Sequence, residues 1–420
     1  MGSGRKRAGR STTCEGAAMS DFHQTGVIAT LHRLGNPTLE RIETELREFS
    51  ANRPVALALP ALHSEFEGKA MPRIVEELAK VDYLKQVVLV LGKANERQFA
   101  EVRKYLSPIR GEVRVINVEG RRIREILQTL ERNGLSAGPD GKGRSVWLAF
   151  GFILATAKSD AIALHDCDIL TYSREMLARL CYPVVNSNLD YVFCKGFYSR
   201  VTDRMHGRVT RLLITPLVRS LQTLIGGHGF LAFLDSFRYP LAGEFCMMTD
   251  LARVNRIPWD WGLEVGSLAE VYRNYSPRRI CQVDVAATYE HKHQPLSASD
   301  PTKGLSKMTI DICKSIFRTL ASEGVVFSDG LFRSLTVAYL RQAEDTIARF
   351  EADAAINGLL FDRHEEAQAV EVFVKGINLA AHAFAENPLG TPLIPNWNRV
   401  TSAIPGILDM LRGAVEEDNA

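Results

Sequence analysis

The chain predicts an α/β fold: a Rossmann-like, mostly parallel sheet flanked by helices, with a helical C-terminal appendage. Three observations carry the prediction. Continuous apolar runs of strand length alternate with amphipathic runs of helical period up to residue 170, the pattern of a parallel sheet covered on both faces. One of those runs, AIALHDCDIL (161–170), ends in two carboxylates, and open α/β sheets hold their ligands at such strand ends. From about Thr309 onward the periodicity is helical, with no nucleophile or ligand constellation.

The elements follow in order. Leu39, Ile42 and Leu46 give residues 38–49 an apolar stripe at helical spacing. PVALALPAL (54–62) reads as a buried strand running into a loop, followed by a helix over 71–81. QVVLVLG (86–92) and EVRVINV (112–118) repeat the strand signal, each followed by a helix, over 96–106 and 121–132. SAGPDGKGRS (136–145) is a glycine-rich loop, residues 147–157 a helix, and 161–170 the strand with the carboxylates. From Leu189 the pattern mixes: YVFCKGFYSRV (191–201) alternates like a strand near an edge, and PLAGEFCMMTDLARV (240–254) reads as a loop running into a helix. WGLEVGSLAEVYR (261–273) is a helix, and ICQVDVAATYEHKH (280–293) a strand ending in a His/Glu/Lys cluster. The expected organisation is a disordered tail over 1–22, a catalytic domain over 23–304 and a helical region over 305–420. Within the catalytic domain, a nucleotide half spans about 50–170 and an acceptor half about 189–304.

Composition narrows the function. With 420 residues and 46% hydrophobic content the chain can bury a large core. A formal net charge of only +2 argues against a nucleic-acid partner, so phosphate binding must come from local Lys and Arg. Seven cysteines are scattered with no CxxC pair, which fits a reducing cytoplasm better than a disulfide framework or zinc knuckle. No run approaches the roughly 18 apolar residues that span a bilayer. The basic start MGSGRKRAGRSTTCEGAAMS has no apolar stretch after it and is not expected to be a signal peptide; Met19 is an alternative start.

Chemistry concentrates in few places. Asp166 and Asp168, one residue apart where a strand ends and the backbone turns, can converge on one divalent cation that neutralises a diphosphate. Two solvated loop aspartates are the plainer alternative. A haloacid-dehalogenase-type nucleophile is another, but its later GDxxxD pair is missing. Gly141-Lys142-Gly143-Arg144 offers close backbone approach and a point charge, without Walker spacing. Pro60-Ala61-Leu62-His63 follows the first long strand. Gly207-Arg208-Val209-Thr210 combines a flexible backbone, a guanidinium fork and a hydroxyl, suited to a small acidic acceptor, with Arg200, Arg204 and Arg211 nearby. Glu264 stands in an apolar helical run and needs a partner, as does Glu244. Either His291 or His293 can be a metal ligand.

The order PALHSE, PDGKGRS, HDCDI, GRVTRL, PLAGEF, WGLEVG, HKHQPL resembles the glucosyl-3-phosphoglycerate synthases and their mannosyl relatives, retaining glycosyltransferases of the GT-A fold. The match runs from about Pro54 to about Leu296. The resemblance implies that Pro60, Ala61, Leu62, Ser64, Gly92, Lys142, Asp166, Cys167 and Glu264 bind the nucleotide sugar. It implies that Gly207, Arg208 and Thr210 hold phosphoglycerate, that Asp168 and His291 ligate Mg2+ or Mn2+, and that Glu264 and Asp168 serve catalysis. It departs where His63-Ser64-Glu65 replaces Asn-Glu-Glu and LVLGKANE replaces a small-polar, acidic loop. The implied reaction moves glucose from UDP-glucose to 3-phosphoglycerate with retention. Alternatives are a GDP-mannose donor, another small acidic acceptor such as glycerate, or a non-catalytic scaffold using the helical C-terminus. A homodimer is expected.

Overall fold

The computed structural model describes residues 24, 26–35, 38–287, 289–290, 304–390 and 393–420; the expected tail and the candidate ligands His291 and His293 lie outside the described residues. Eight strands form one sheet: β1 (Ala29–Leu31), β2 (Val55–Leu62), β3 (Leu84–Gly92), β4 (Glu112–Asn117), β5 (Ala161–Leu164), β6 (Phe193–Tyr198), β7 (Phe245–Met248) and β8 (Ile280–Ala286). Their order is β1-β8-β6-β7-β5-β2-β3-β4. Every pairing is parallel except those of β7, which runs antiparallel to both β5 and β6.

The helices of the sheet domain are α1 (Leu39–Asn52), α2 (Ala70–Leu78), α3 (Glu96–Tyr105), α4 (Arg121–Arg132), α5 (Lys142–Thr156), α6 (Arg174–Val185), α7 (Thr215–Ile225), α8 (Gly229–Ser236), α9 (Thr249–Val254) and α10 (Leu263–Asn274). Beyond them come α11 (Gly304–Ser322), α12 (Asp329–Ile356), α13 (Arg363–Glu386), α14 (Trp397–Ala403) and α15 (Ile407–Asn419). No described helix is long and apolar enough to cross a membrane.

The uninterrupted apolar strands have a direct cause. Successive side chains of a strand point to opposite faces. Ala56, Ala58, Val88 and Val90 enter one core, and Leu57, Leu59, Val87 and Leu89 enter the other. Both faces are dry, so a polar residue there needs an internal partner, as Gln86 has in the Ser159 hydroxyl at 3.1 Å. Residues of α11 to α15 complete the first of these cores. Trp397 stacks on Trp147 of α5 with ring centroids 4.0 Å apart, and its indole N–H donates to the Trp147 carbonyl at 3.1 Å. The approach requires Gly151, where a Cβ would sit 2.0 Å from the Trp397 ring. At the sheet's edge, the Asn419 side chain of α15 bonds both the N–H and the carbonyl of Val115 at 3.0 and 2.8 Å. This covers the open rim of β4, which would otherwise be a template for foreign strands.

Four expectations need correction. YVFCKGFYSRV is not near an edge: β6 lies between β8 and β7 and is buried throughout. Its alternation comes from Lys195, which stays inside because its ammonium donates to the Ala242 carbonyl at 2.6 Å. PLAGEFCMMTDLARV contains the strand β7 before its helix; four residues are too few to show a period. The carboxylate-bearing strand stops at Leu164; His165 still donates its N–H to the Ala58 carbonyl at 3.2 Å, and Asp166 to Asp168 lie beyond the strand. The glycine-rich loop is shorter than predicted, because α5 begins at Lys142 itself.

Candidate active site

β5 delivers its carboxylates to a turn facing the start of α5. Asp166 meets Lys142 there, with Nζ 2.7 Å from Oδ1, and the same Nζ lies 3.1 Å from Oε1 of Glu264 on α10. Burial works against the ammonium, but Asp166 and Glu264 outweigh it and hold Lys142 charged well above the usual lysine range. Two glycines make the convergence possible. A Cβ on Gly143 would fall 2.3 Å from the Pro258 carbonyl oxygen, and one on Gly243 would fall 2.4 Å from Asp166 Oδ2.

A second buried group lies beside them. Glu244 is fully buried and accepts hydrogen bonds from the Tyr289 hydroxyl at 2.7 Å and the Tyr198 hydroxyl at 3.0 Å. The two rings stack with centroids 3.6 Å apart. Burial, then the Asp166 charge, pushes the Glu244 carboxyl up to about 7. Burial likewise lowers Lys195 to about 8 and His165 to about 4. His165 is a neutral core imidazole: neither ring nitrogen has a hydrogen-bond partner among the described residues, and it meets Tyr172 edge-on at 5.5 Å.

Tyr198 and Tyr289, with Lys142, Asp166 and Glu264, line a cleft of about 380 Å³. Lys142, Asp166 and Glu264 line it together with Gly207, Arg208 and Thr210. Gly207 has φ +74°, and a Cβ there would come 3.2 Å from the Tyr239 hydroxyl, so the turn both permits and needs glycine. Arg208 and Thr210 follow at the start of a π-helical turn (Val209–Ile214) that runs into α7. The Thr210 hydroxyl is buried with no hydrogen-bond partner among the described residues. Arg208 is held by Glu366 at 2.8 Å and Glu365 at 2.9 Å, both from α13. Arg200 donates to the Tyr239 hydroxyl at 3.2 Å.

Arg204 also lines the cleft, whereas Pro60, Ala61, Leu62, Ser64, Gly92, Cys167 and Asp168 do not; they stand at the carboxyl ends of β2, β3 and β5. Pro60, Ala61 and Leu62 end β2, and Leu62 pairs in register with Gly92 at the end of β3. Ser64 sits in the 3-10 turn His63–Glu67. Cys167 is 3% exposed and its side chain belongs to the core, so only its backbone can meet a ligand. Asp168 is raised to about 6 by burial and then by the charge of Asp166.

No group of three His, Cys, Asp or Glu suited to a metal ion occurs among the described residues. Asp168 nonetheless fits a hard divalent cation. Burial and the Asp166 charge both disfavour its ionised form, and a bound cation would offset them.

Sequence reasoning missed Tyr198, Tyr239 and Tyr289, the steric role of Gly243, and the contribution of Glu365 and Glu366. Gly243 carried a signal, since it stands inside the PLAGEF motif. The α13 carboxylates carried none: Glu366 is 158 residues from the arginine it holds.

No family profile matches the chain. It is 51% identical over 402 residues to the glucosyl-3-phosphoglycerate synthase of Persephonella marina, covering 96% of this chain and 100% of that one. It is 38% identical over 403 residues to the enzyme of the same name from Methanococcoides burtonii, covering 95% and 98%. Among solved structures, the glucosyl-3-phosphoglycerate synthase of Mycobacterium tuberculosis in complex with phosphoglyceric acid superposes with a TM-score of 0.52 at 19% identity, over 72% of this chain and 90% of that one. The same protein with Mn2+, UDP-glucose and phosphoglyceric acid gives a TM-score of 0.51 at 19% identity, over 72% and 89%. At that identity the likeness is one of fold.

Proposed function

Because the chain belongs to the glucosyl-3-phosphoglycerate synthase family, we propose that this cleft transfers glucose from UDP-glucose to 3-phosphoglycerate with retention of configuration. The observation that carries the reading is one cavity with Lys142, Asp166 and Glu264 on one side and Gly207, Arg208 and Thr210 on another. A sugar between them would have its reacting carbon within reach of an acceptor hydroxyl.

In this reading the ends of β2 and β3 bind uridine through Pro60, Ala61, Leu62, Ser64 and the Gly92 backbone, with the Cys167 backbone closing the pocket. Lys142 draws Asp166 and Glu264 into fixed positions, where their carboxylates are placed to accept ribose or glucose hydroxyls. Arg208 and the unpartnered Thr210 hydroxyl hold the anionic end of phosphoglycerate, a fork and a single donor matching a phosphate or carboxylate. Asp168 and, on the resemblance, His291 would hold Mg2+ or Mn2+, which would supply positive charge to the departing diphosphate. The sugar-side residues Lys142, Asp166 and Glu264 share one cavity with the acceptor residues, and attack on the leaving group's own face needs no covalent nucleophile. The chain then contributes orientation and charge placement.

The test is UDP release from UDP-glucose on addition of 3-phosphoglycerate, with and without Mn2+, beside GDP-mannose as donor and glycerate as acceptor. Release that is indifferent to 3-phosphoglycerate overturns the reading. Release only from GDP-mannose moves the chain to the mannosyl branch. We read the protein as cytoplasmic, supported by six buried free cysteines among the described residues. We read it as a homodimer on the resemblance alone, which sedimentation tests.

A further inference from the structure

α13 starts with more acid than a helix start requires. Asp362 already caps it, accepting the Glu365 N–H at 3.0 Å, and the next two carboxylates could remain in solvent on the N-terminal dipole. Glu366 instead turns inward, its side chain only 5% exposed, with Oε1 2.8 Å from Arg208 Nε and Oε2 2.9 Å from Arg211 Nη1. Arg211 is itself fixed, donating to the His206 carbonyl at 3.0 Å and lying 4.8 Å over the Phe350 ring. Glu365 differs. It is 38% exposed, lines the cleft, and reaches Arg208 Nη2 at 2.9 Å. A buried carboxylate between two guanidiniums is costly unless its geometry is kept, whereas a partly exposed pair is worth little.

We propose that the first turn of α13 sets the affinity for the acceptor: Glu366 is the positioning residue that aims the Arg208 fork, and Glu365 occupies the anion position until the acceptor displaces it. The proposal rests on reading Arg208 as the acceptor's holder. Arg208 and Arg211 are balanced by Glu365 and Glu366 in the free protein. When an anionic acceptor takes over Arg208 Nη2, Glu365 swings to solvent and Glu366 stays. The exchange swaps one carboxylate for another anion on the same nitrogen, so the site never leaves a guanidinium uncompensated.

The experiment uses the full chain and its Glu366→Gln, Glu366→Asp and Glu365→Gln variants, with KM for 3-phosphoglycerate, KM for UDP-glucose, kcat and melting temperature measured for each. Glu366→Gln is expected to raise KM for 3-phosphoglycerate about tenfold, the share of a misaimed charge-assisted contact, with KM for UDP-glucose unchanged. Glu366→Asp should recover part of that loss. Glu365→Gln should lower KM for 3-phosphoglycerate about threefold, the scale of a half-exposed pair. An unchanged acceptor KM in Glu366→Gln, or both KM values rising together, overturns the positioning role. If that variant does not fold, Glu365→Gln decides: a KM equal to or above wild type overturns the exchange. A wild-type chain that ignores 3-phosphoglycerate sinks the acceptor reading and this inference with it, whereas an active wild type with unaffected variants sinks this inference alone.

Discussion

Gly243→Ala should disable the site while sparing the fold. The added methyl carbon would lie 2.4 Å from Asp166 Oδ2 and 2.9 Å from both Asp166 Cγ and Lys142 Nζ. Ordinary carbon–oxygen contact begins near 3.4 Å, so Asp166 must retreat by about 1 Å. Gly243 is not among the glycines with positive φ, so alanine carries no backbone penalty there. Asp166 and Lys142 keep 26% and 33% side-chain exposure and have solvent to move into. The strain therefore falls on the Lys142–Asp166–Glu264 arrangement and not on the core. A displacement of that size at a reacting centre costs about 100-fold in rate. The assay is kcat/KM from UDP release, with melting temperature as the control. A variant with wild-type kcat/KM and an unshifted melting curve would refute the claim that Asp166, as positioned by Lys142, serves turnover.

Four further outcomes are expected. Asp168→Asn should remove metal-dependent binding of UDP, measured by calorimetry. In the wild type, proton and cation compete for a carboxyl raised to about 6, so Mn2+ affinity should weaken as pH falls through that value and hold above it; a flat profile counts against Asp168 as a ligand. Glu244→Gln tests linkage: with its folded pKa raised from 4.5 to about 7, the carboxyl's stabilising contribution is full below 4.5 and is lost as pH rises through about 7. The wild-type melting temperature should therefore fall more steeply than the variant's across that window, and equal slopes would contradict the assignment. Trp397→Ala removes a ring 1% exposed and stacked on Trp147, and should cost about 3 to 5 kcal/mol in denaturant unfolding; a loss below about 1 kcal/mol would mean that α14 is not anchored by this stack.

The legible part of this fold is the part whose signal is local. A strand with dry faces on both sides is apolar along most of its length, so β2 and β3 announce themselves through Leu57, Leu59, Val88 and Val90. Lys142, Asp166 and Glu264 could be singled out because charged residues beside glycine or inside apolar runs need a reason. β7 was hidden by its four-residue length, and β6 looked peripheral because the acceptor for Lys195, the Ala242 carbonyl, arrives from 47 residues away.

By itself, then, the sequence determined the alternation of elements, the class of sheet and the residue types able to bind a nucleotide sugar, since backbone period and side-chain chemistry are properties of short stretches. Only the tertiary structure decided the strand order, the single lysine shared by Asp166 and Glu264, and the seating of Arg208 against α13. Those depend on the path of the whole chain and on burial, and burial is what turns a weak ion pair in water into one whose geometry must be kept.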